Sequence, residues 1–286
     1  MSLKIESVSY AYMKDTPYER QALQEVTLEV QKGEFIAIIG HSGSGKSTLV
    51  QHMSGLLHPD TGRVLAENVD LAGKKQDAKL AKRKIGLVFQ YPEHQLFAET
   101  VYDDVAFGPR NFDLTEEEVA IRVKDALSFV HLSVEEYGAR SPFNLSGGQM
   151  RRVAIAGVMA MRPDYLILDE PTAGLDPVTK NLFYQEIKEL HKNNPIATIL
   201  VTHSMEEAIE LSDRLLVMSA GKIIIDGKPE EIFRQSKAEL KKANIDVPSI
   251  ISLSDCLKRY GLKIDENCLS GEVLIGQIMQ NIGKEG

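Results

Sequence analysis

Leu3, Ile5, Val8 and Tyr10 stand among Lys4, Glu6, Ser7 and Ser9, close to the period of two that marks a half-buried strand. A second strand of this kind is predicted over Leu23–Val30. Continuous apolar runs follow at Glu34–Ile39, Lys84–Phe89, Tyr165–Leu168, Ile196–Thr202 and Arg214–Met218, with helical segments between several of them. Strands buried on both faces and separated by helices predict an α/β fold with a largely parallel sheet. From about residue 92 to 163 the pattern turns helical. Thr115 and Glu118 form a capping box ahead of Val119, Val123, Ala126, Leu127 and Val130. The acidic run Glu116–Glu118 suits the first turn of that helix, where the dipole is positive. A second helix is predicted from about Gly148 to Met161, its methionines (Met150, Met159 and Met161) packing on the helix face. This block reads as a helical subdomain inserted into the α/β core. After Gly227 the strands stop, and short amphipathic pieces are broken by Pro248, Gly261 and Gly271. The predicted division is a main unit over residues 1–235 and a small C-terminal unit over 236–286, either an oligomerisation element or a packed extension.

Charge and composition narrow the classes. The chain of 286 residues carries 33 Lys and Arg against 41 Asp and Glu, a net −8, which argues against a strongly basic nucleic-acid surface. No stretch approaches the roughly 18 apolar residues of a membrane span. Met1–Glu6 has no signal-peptide pattern. Cys256 and Cys268 have no metal spacing around them and are expected to be reduced thiols with a packing role.

The chemistry concentrates in Gly40-His41-Ser42-Gly43-Ser44-Gly45-Lys46-Ser47-Thr48, directly after an apolar strand and at the start of a helix. In that context the spacing G-x-x-x-x-G-K-[ST] describes a phosphate cradle; outside it, the run would be a glycine-rich turn. Glycines let successive N–H groups face an anion, and the helix N-terminus adds partial positive charge. Lys46 reaches the β- and γ-phosphates of a nucleotide, and the Ser47 hydroxyl suits Mg²⁺. A metal carboxylate is supplied by the strand Tyr165–Leu168 as it runs into Asp169 and Glu170. Asp169 is placed to hold Mg²⁺ through its water shell. Glu170, expected on the opposite face of the strand, is placed to orient and deprotonate a water. Alone, the two acids would cap a turn before Pro171. Ser146-Gly147-Gly148-Gln149, before a helix, is a commonplace N-cap taken by itself, yet a hydroxyl and Gly amides at a helix start also make an anion site. One ATP does not need two clamps in one chain, so the second is assigned to nucleotide held by another subunit.

Leu145–Gln149 between such a loop and Asp169 resembles the signature of ATP-binding cassette (ABC) ATPases. The resemblance covers about residues 3–235 and implies a P-loop NTPase core of RecA-like type, with N-terminal antiparallel strands and an inserted helical subdomain. It implies that Gln90 touches Mg²⁺ and senses a membrane partner. It also implies that Asp176, in Ala173–Asp176, lies across a dimer interface, that His203 contacts the γ-phosphate, and that Tyr12, rather than Tyr10, stacks on adenine. Without it, Gln90 would be a surface amide and His203 a packing residue at a helix entry. His41, His52 and His94 are expected to be polar side chains near the site. The segments Val88–Phe97 and Thr100–Pro109, the run Ser146–Gly157 and the C-terminal unit further resemble the ATPase subunits of energy-coupling factor transporters, which take up vitamins and transition-metal ions. That resemblance implies a second ATPase subunit (a paralogue or a copy of this chain), a transmembrane scaffold subunit and a substrate-binding membrane subunit. It also implies a peripheral position on the cytoplasmic face of the membrane. Leu96, Phe97 and Tyr102 either line a groove for a coupling helix or fold into a local core. Two other readings compete: a soluble ABC ATPase working on DNA or ribosomes, and an ATP-dependent dimerisation subunit without turnover. The first lacks a basic face or coiled-coil insertion to support it; Glu170 and His203 weigh against the second.

Overall fold

The computed structural model describes residues 2–193, 196–265 and 271–282. Two sheets organise the chain. The first is antiparallel and built from β1 (Ser2–Tyr12), β2 (Arg20–Gln31), β4 (Thr61–Ala66) and β5 (Val69–Asp70), in the order β2-β1-β4-β5. Between its strands in sequence come β3 (Phe35–Ile39) and α1 (Lys46–Met53). After α2 (Gln76–Lys82), β3 is joined in a second sheet by β6 (Ile85–Val88), β7 (Tyr165–Asp169), β8 (Ala197–Val201), β9 (Arg214–Ser219) and β10 (Lys222–Gly227), in the order β10-β9-β3-β8-β7-β6. All pairs in this sheet are parallel except β9 with β10 at one edge.

The parallel strands are apolar throughout because both faces are covered. On β3, Ile36 and Ile38 point into a core shared with the antiparallel sheet, while Ala37 and Ile39 meet the other face. The expected helical block is present between β6 and β7: a 3₁₀ turn at Pro92–Gln95, α3 (Val101–Arg110), α4 (Glu116–Phe129), α5 (Val134–Tyr137), a second 3₁₀ turn at Pro142–Asn144, and α6 (Gly147–Ala160). Thr115 and Glu118 make the predicted capping box on α4, and Ser146 and Gln149 make another on α6. Val105, Val119, Val123, Leu127, Val153 and Ile155 form one core with Leu166 and Leu168 of β7, and the three methionines pack against it.

Beyond β7 lie α7 (Pro177–Asn193) and α8 (Met205–Leu211), then after β10 come α9 (Pro229–Gln235), α10 (Lys237–Lys242), α11 (Ser249–Arg259) and α12 (Gly271–Ile282). Ile232 and Phe233 of α9 share a cluster with Leu240, Ala243, Ile245 and Ile251, and the same cluster includes Ala37, Ile39, Leu215 and Val217 of the parallel sheet. The core is thus continuous across residue 235. A separate small cluster, Ile264 and Leu274 with Leu257 and Ile278, marks the far end. Cys256 is a free, partly buried thiol, and Cys268 lies outside the described residues. No helix among the described residues is long and apolar enough to cross a membrane.

Candidate nucleotide-binding site

The chemistry-bearing loops leave the carboxyl ends of four neighbouring strands, the edge of an open parallel sheet at which α/β proteins bind ligands. β3 leads into residues 40–46, β6 into Gln90, β7 into Asp169 and Glu170, and β8 into His203. Between them and the start of β2 is a cleft of about 400 Å³, lined by Tyr12, Arg20, Gln21, Ala22, Ser42, Gly43, Gly45, Lys46, Ser47, Thr48, Gln90, Glu170 and His203.

The loop wraps into α1 with Gly45 at its N-cap, φ +105°, a conformation that a side chain resists. A Cβ there would also stand 2.6 Å from the Ala22 carbonyl oxygen. No side chain caps α1 and no acid lies in its first turn, so that turn's N–H groups remain for an anion. Lys46 is buried, its ammonium donating to the carbonyls of Gly40 (2.8 Å) and His41 (3.2 Å). Burial pushes its pKa below the ordinary lysine value, against the pull of Glu170 and Asp169. Gly40, His41 and Ser44 support the loop from behind: the Ser44 N–H donates to the His41 carbonyl at 3.1 Å, and the Ser44 carbonyl accepts from the Gly221 N–H at 3.0 Å.

Asp169 ends β7 and is buried. Burial first, and the charge of Glu170 second, push its carboxyl up to about 6, while the Ser47 hydroxyl, Lys46 and His203 work the other way. Its Oδ1 is buried without a hydrogen-bond partner. An orphaned carboxylate oxygen beside a hydroxyl and a phosphate cradle fits a hard divalent cation that keeps several waters. Among the described residues no group of three or more His, Cys, Asp or Glu is arranged to hold a metal. A metal here would therefore be shared with phosphate oxygens.

Glu170 is not placed by strand alternation, as expected from sequence. It lies one residue past β7 with φ +47°, a left-handed conformation that costs a non-glycine residue on the order of 1 kcal/mol. That twist turns its carboxylate into the cleft, where Oε1 lies 2.7 Å from Nε2 of His203 and Oε2 accepts from Nε2 of Gln90 at 3.1 Å. His203 is held by its neighbours, since Thr202 accepts from the Ser204 N–H and Ser204 caps α8.

Tyr12 lines the cleft and is exposed. Its hydroxyl lies 3.2 Å from Oγ1 of Thr48, and Tyr10 packs edge-on against its ring and against His52 beneath. His52 differs from the expectation of a polar side chain near the site: it is fully buried, its Nδ1 2.8 Å from the Thr48 carbonyl. Ser146, Gly147, Gly148 and Gln149 lie outside the cleft lining. Ser146 Oγ accepts from the Gln149 N–H, and a Cβ on Gly147 or Gly148 would meet nothing within 4 Å. A side chain at either glycine would therefore meet nothing of its own chain. Asp176 is also outside the cleft lining; the Thr179 hydroxyl first, then the N–H groups of Thr179 and Val178, donate to its carboxyl and hold it below the ordinary range. Leu96 is buried in the helical core, whereas Phe97 is exposed and stacks edge-on with Phe107.

Sequence reasoning missed Arg20, Gln21 and Ala22 of the cleft wall, which belong to no local motif. Arg20 Nη2 would stand 2.9 Å from a Cβ on Gly43.

A parallel sheet with a phosphate loop at one strand end and paired acids at another defines a P-loop ATPase. Residues 23–173 match the ABC transporter family. An energy-coupling factor transporter ATP-binding protein, EcfA2, of Clostridium tetani is 50% identical over 272 residues, 95% of this chain and 94% of the relative. Its namesake in Bacillus anthracis is 44% identical over 289 residues, 100% and 98% of the two chains. Among solved structures, cbiO1 of Clostridium perfringens, described as part of the ABC transporter complex cbiONQ, superposes with TM-score 0.72 at 38% identity over 85% of this chain and 94% of that one. A dimeric cassette in a post-hydrolysis state with ADP and Pi gives TM-score 0.70 at 30% identity over 79% and 98%. The chain belongs to the ABC transporter ATPases and, within them, to the energy-coupling factor transporter ATP-binding proteins.

Proposed function

We propose that this chain powers the membrane uptake of a micronutrient, a vitamin or transition-metal ion, as an ATP-hydrolysing subunit of an energy-coupling factor transporter. The observation that carries the reading is the separation of two anion clamps. One, within residues 40–48, lines the cleft with Glu170; the other, Ser146–Gln149, lies outside that lining with open space over its glycines. Two chains set head to tail would close each clamp over the other's nucleotide. The second chain is a paralogue or a copy of this one, and the pair sits on a transmembrane scaffold subunit with a substrate-binding membrane subunit, at the cytoplasmic face. Residues 1–235 supply the nucleotide-binding unit and 236–286 the subunit contact, with Asp176 near the interface.

In this reading the adenine stacks on Tyr12, and the α1 N-terminus and Lys46 grip the phosphates, Lys46 leaving its carbonyl partners to do so. Ser47, Asp169 and Gln90 would hold Mg²⁺, which when bound neutralises charge on the transferring phosphoryl group. Glu170 orients a water and takes its proton, while His203 and Gln90 turn from Glu170 to the γ-phosphate. Catalysis is positioning and electrostatics, with no covalent intermediate.

The test uses a tagged Glu170→Gln chain expressed in its own cell and recovered with ATP from solubilised membranes. ATP binding is expected to persist while turnover falls by at least about a hundredfold, the low end of general-base effects. A polytopic scaffold and a second ATPase are expected to co-purify. Recovery of the chain with ribosomes or nucleic acid alone would instead make it a soluble ABC ATPase.

A further inference from the structure

Arg151 lies on α6, two residues past Gln149, and is 4% exposed. Four contacts hold its guanidinium, in two pairs. Nε and Nη2 donate to the carboxylate of Glu93 at 3.2 and 3.3 Å. Nη1 donates to the carbonyl of Pro171 at 2.9 Å and Nη2 to that of Ala173 at 3.0 Å. Glu93 sits in the 3₁₀ turn Pro92–Gln95, three residues past Gln90. Pro171 and Ala173 belong to the turn that directly follows Glu170. One side chain thus joins the two segments whose leading residues, Gln90 and Glu170, bond each other in the cleft. It does so from the helix that begins with the second anion clamp.

A buried ion pair is weak evidence for stability, because apolar residues of like volume usually serve a core as well or better. What arginine offers is a rigid fork able to serve a carboxylate on one edge and carbonyls on the other; lysine presents a single point charge and satisfies one side at a time. Burial, the largest single influence, works to raise the Glu93 carboxyl. The hydrogen bond and charge of Arg151, with the backbone N–H of Glu93 and with His94, together hold the group below its ordinary value, so the pair stays charged at neutral pH.

We propose that Arg151 is a positioning residue for hydrolysis, locking the turns after Gln90 and Glu170 to the start of α6 so that Glu170 takes its working position only together with that helix. This rests on the reading of Glu170 as the group that takes the water's proton. An arrangement of this kind transmits a shift of α6, when its N-terminus meets another subunit's nucleotide, through Arg151 to the turn that follows the hydrolytic carboxylate.

The test compares Arg151→Lys, Glu93→Gln and their combination in the full chain, with Glu170→Gln alongside. Turnover is measured against Mg-ATP, nucleotide affinity by titration with a fluorescent ATP analogue, and folding by thermal melting. Each single variant is expected to lower kcat about tenfold with affinity held within about twofold, and the double variant to fall no further than the worse single, as contacts acting as a unit do. Unchanged kcat in Glu93→Gln overturns the proposal. So do additive losses in the double variant, or a loss of affinity as large as the loss of turnover. Should Arg151→Lys fail to fold, Glu93→Gln decides alone, because it keeps the size of a partly exposed side chain. Retained turnover in Glu170→Gln would remove the reading beneath the proposal instead, a result that the Arg151 and Glu93 variants cannot mimic.

Discussion

Two adjacent acids, Asp169 and Glu170, differ because one ends a buried strand and the other has left it through a left-handed residue. Folding raises the Asp169 carboxyl from 3.8 to about 6. A carboxyl raised by folding holds its proton more tightly in the folded chain than in the unfolded one. Stability therefore falls as pH climbs from about 4 to about 6, and the whole cost is present above that window. One pKa unit is about 1.4 kcal/mol, so the cost at neutral pH is on the order of 3 kcal/mol. In metal-free protein, Asp169→Asn is expected to raise the melting temperature at pH 7.5 and to lose that advantage near pH 4, while Mg-ATP turnover collapses. Calorimetry in EDTA at the two pH values checks this, and an equal shift at both would show that the carboxylate is not held at a cost. The same residue scale marks a limit on what sequence conveys. Lys46 and Asp169 are announced by short runs and Gln90 by the family resemblance alone, whereas the Arg151–Glu93 pair joins positions 58 apart and belongs to no local pattern.

At the scale of elements, the parallel strands were legible because burial on both faces leaves continuous apolar runs; all five appear within two residues of the expected bounds. Three strands were not. β4 begins with exposed Thr61, Gly62 and Arg63, β5 has two residues, and β10 is an edge strand on which exposed and half-buried positions alternate. Their polar exposure resembles that of loops. The helix α6 was legible from about Gly148 to Met161 behind an N-cap at Ser146, though its full capping box with Gln149 was not, and what sets it apart is the open space over its glycines. Gly148→Ala adds a methyl group to empty space and improves helix propensity by up to about 1 kcal/mol. The melting temperature is expected to hold or rise, and turnover to fall by tenfold or more, as the new Cβ meets nucleotide held by the opposite chain. Steady-state kinetics with a melt of the same sample separates the two, and full activity would show that this face does not close over a nucleotide.

The whole molecule is held by cores that owe nothing to a ligand. One lies between the two sheets, one between the parallel sheet and the inserted helices, and one where α9 to α11 cover the strands on the remaining side. Removing Mg²⁺ with EDTA is accordingly expected to stop turnover and leave the unfolding midpoint of the nucleotide-free chain within experimental scatter. A large drop in that midpoint would show the metal to be structural. The C-terminal helices were legible as short amphipathic pieces, but their sharing a core with Ala37 and Ile39 was not, since the contact joins residues some two hundred apart. Gln90 and His203 contact the two oxygens of Glu170. On the proposed assignment these three side chains, brought from the ends of three different strands, aim as one unit, so the sheet that carries them sets the alignment of the reaction.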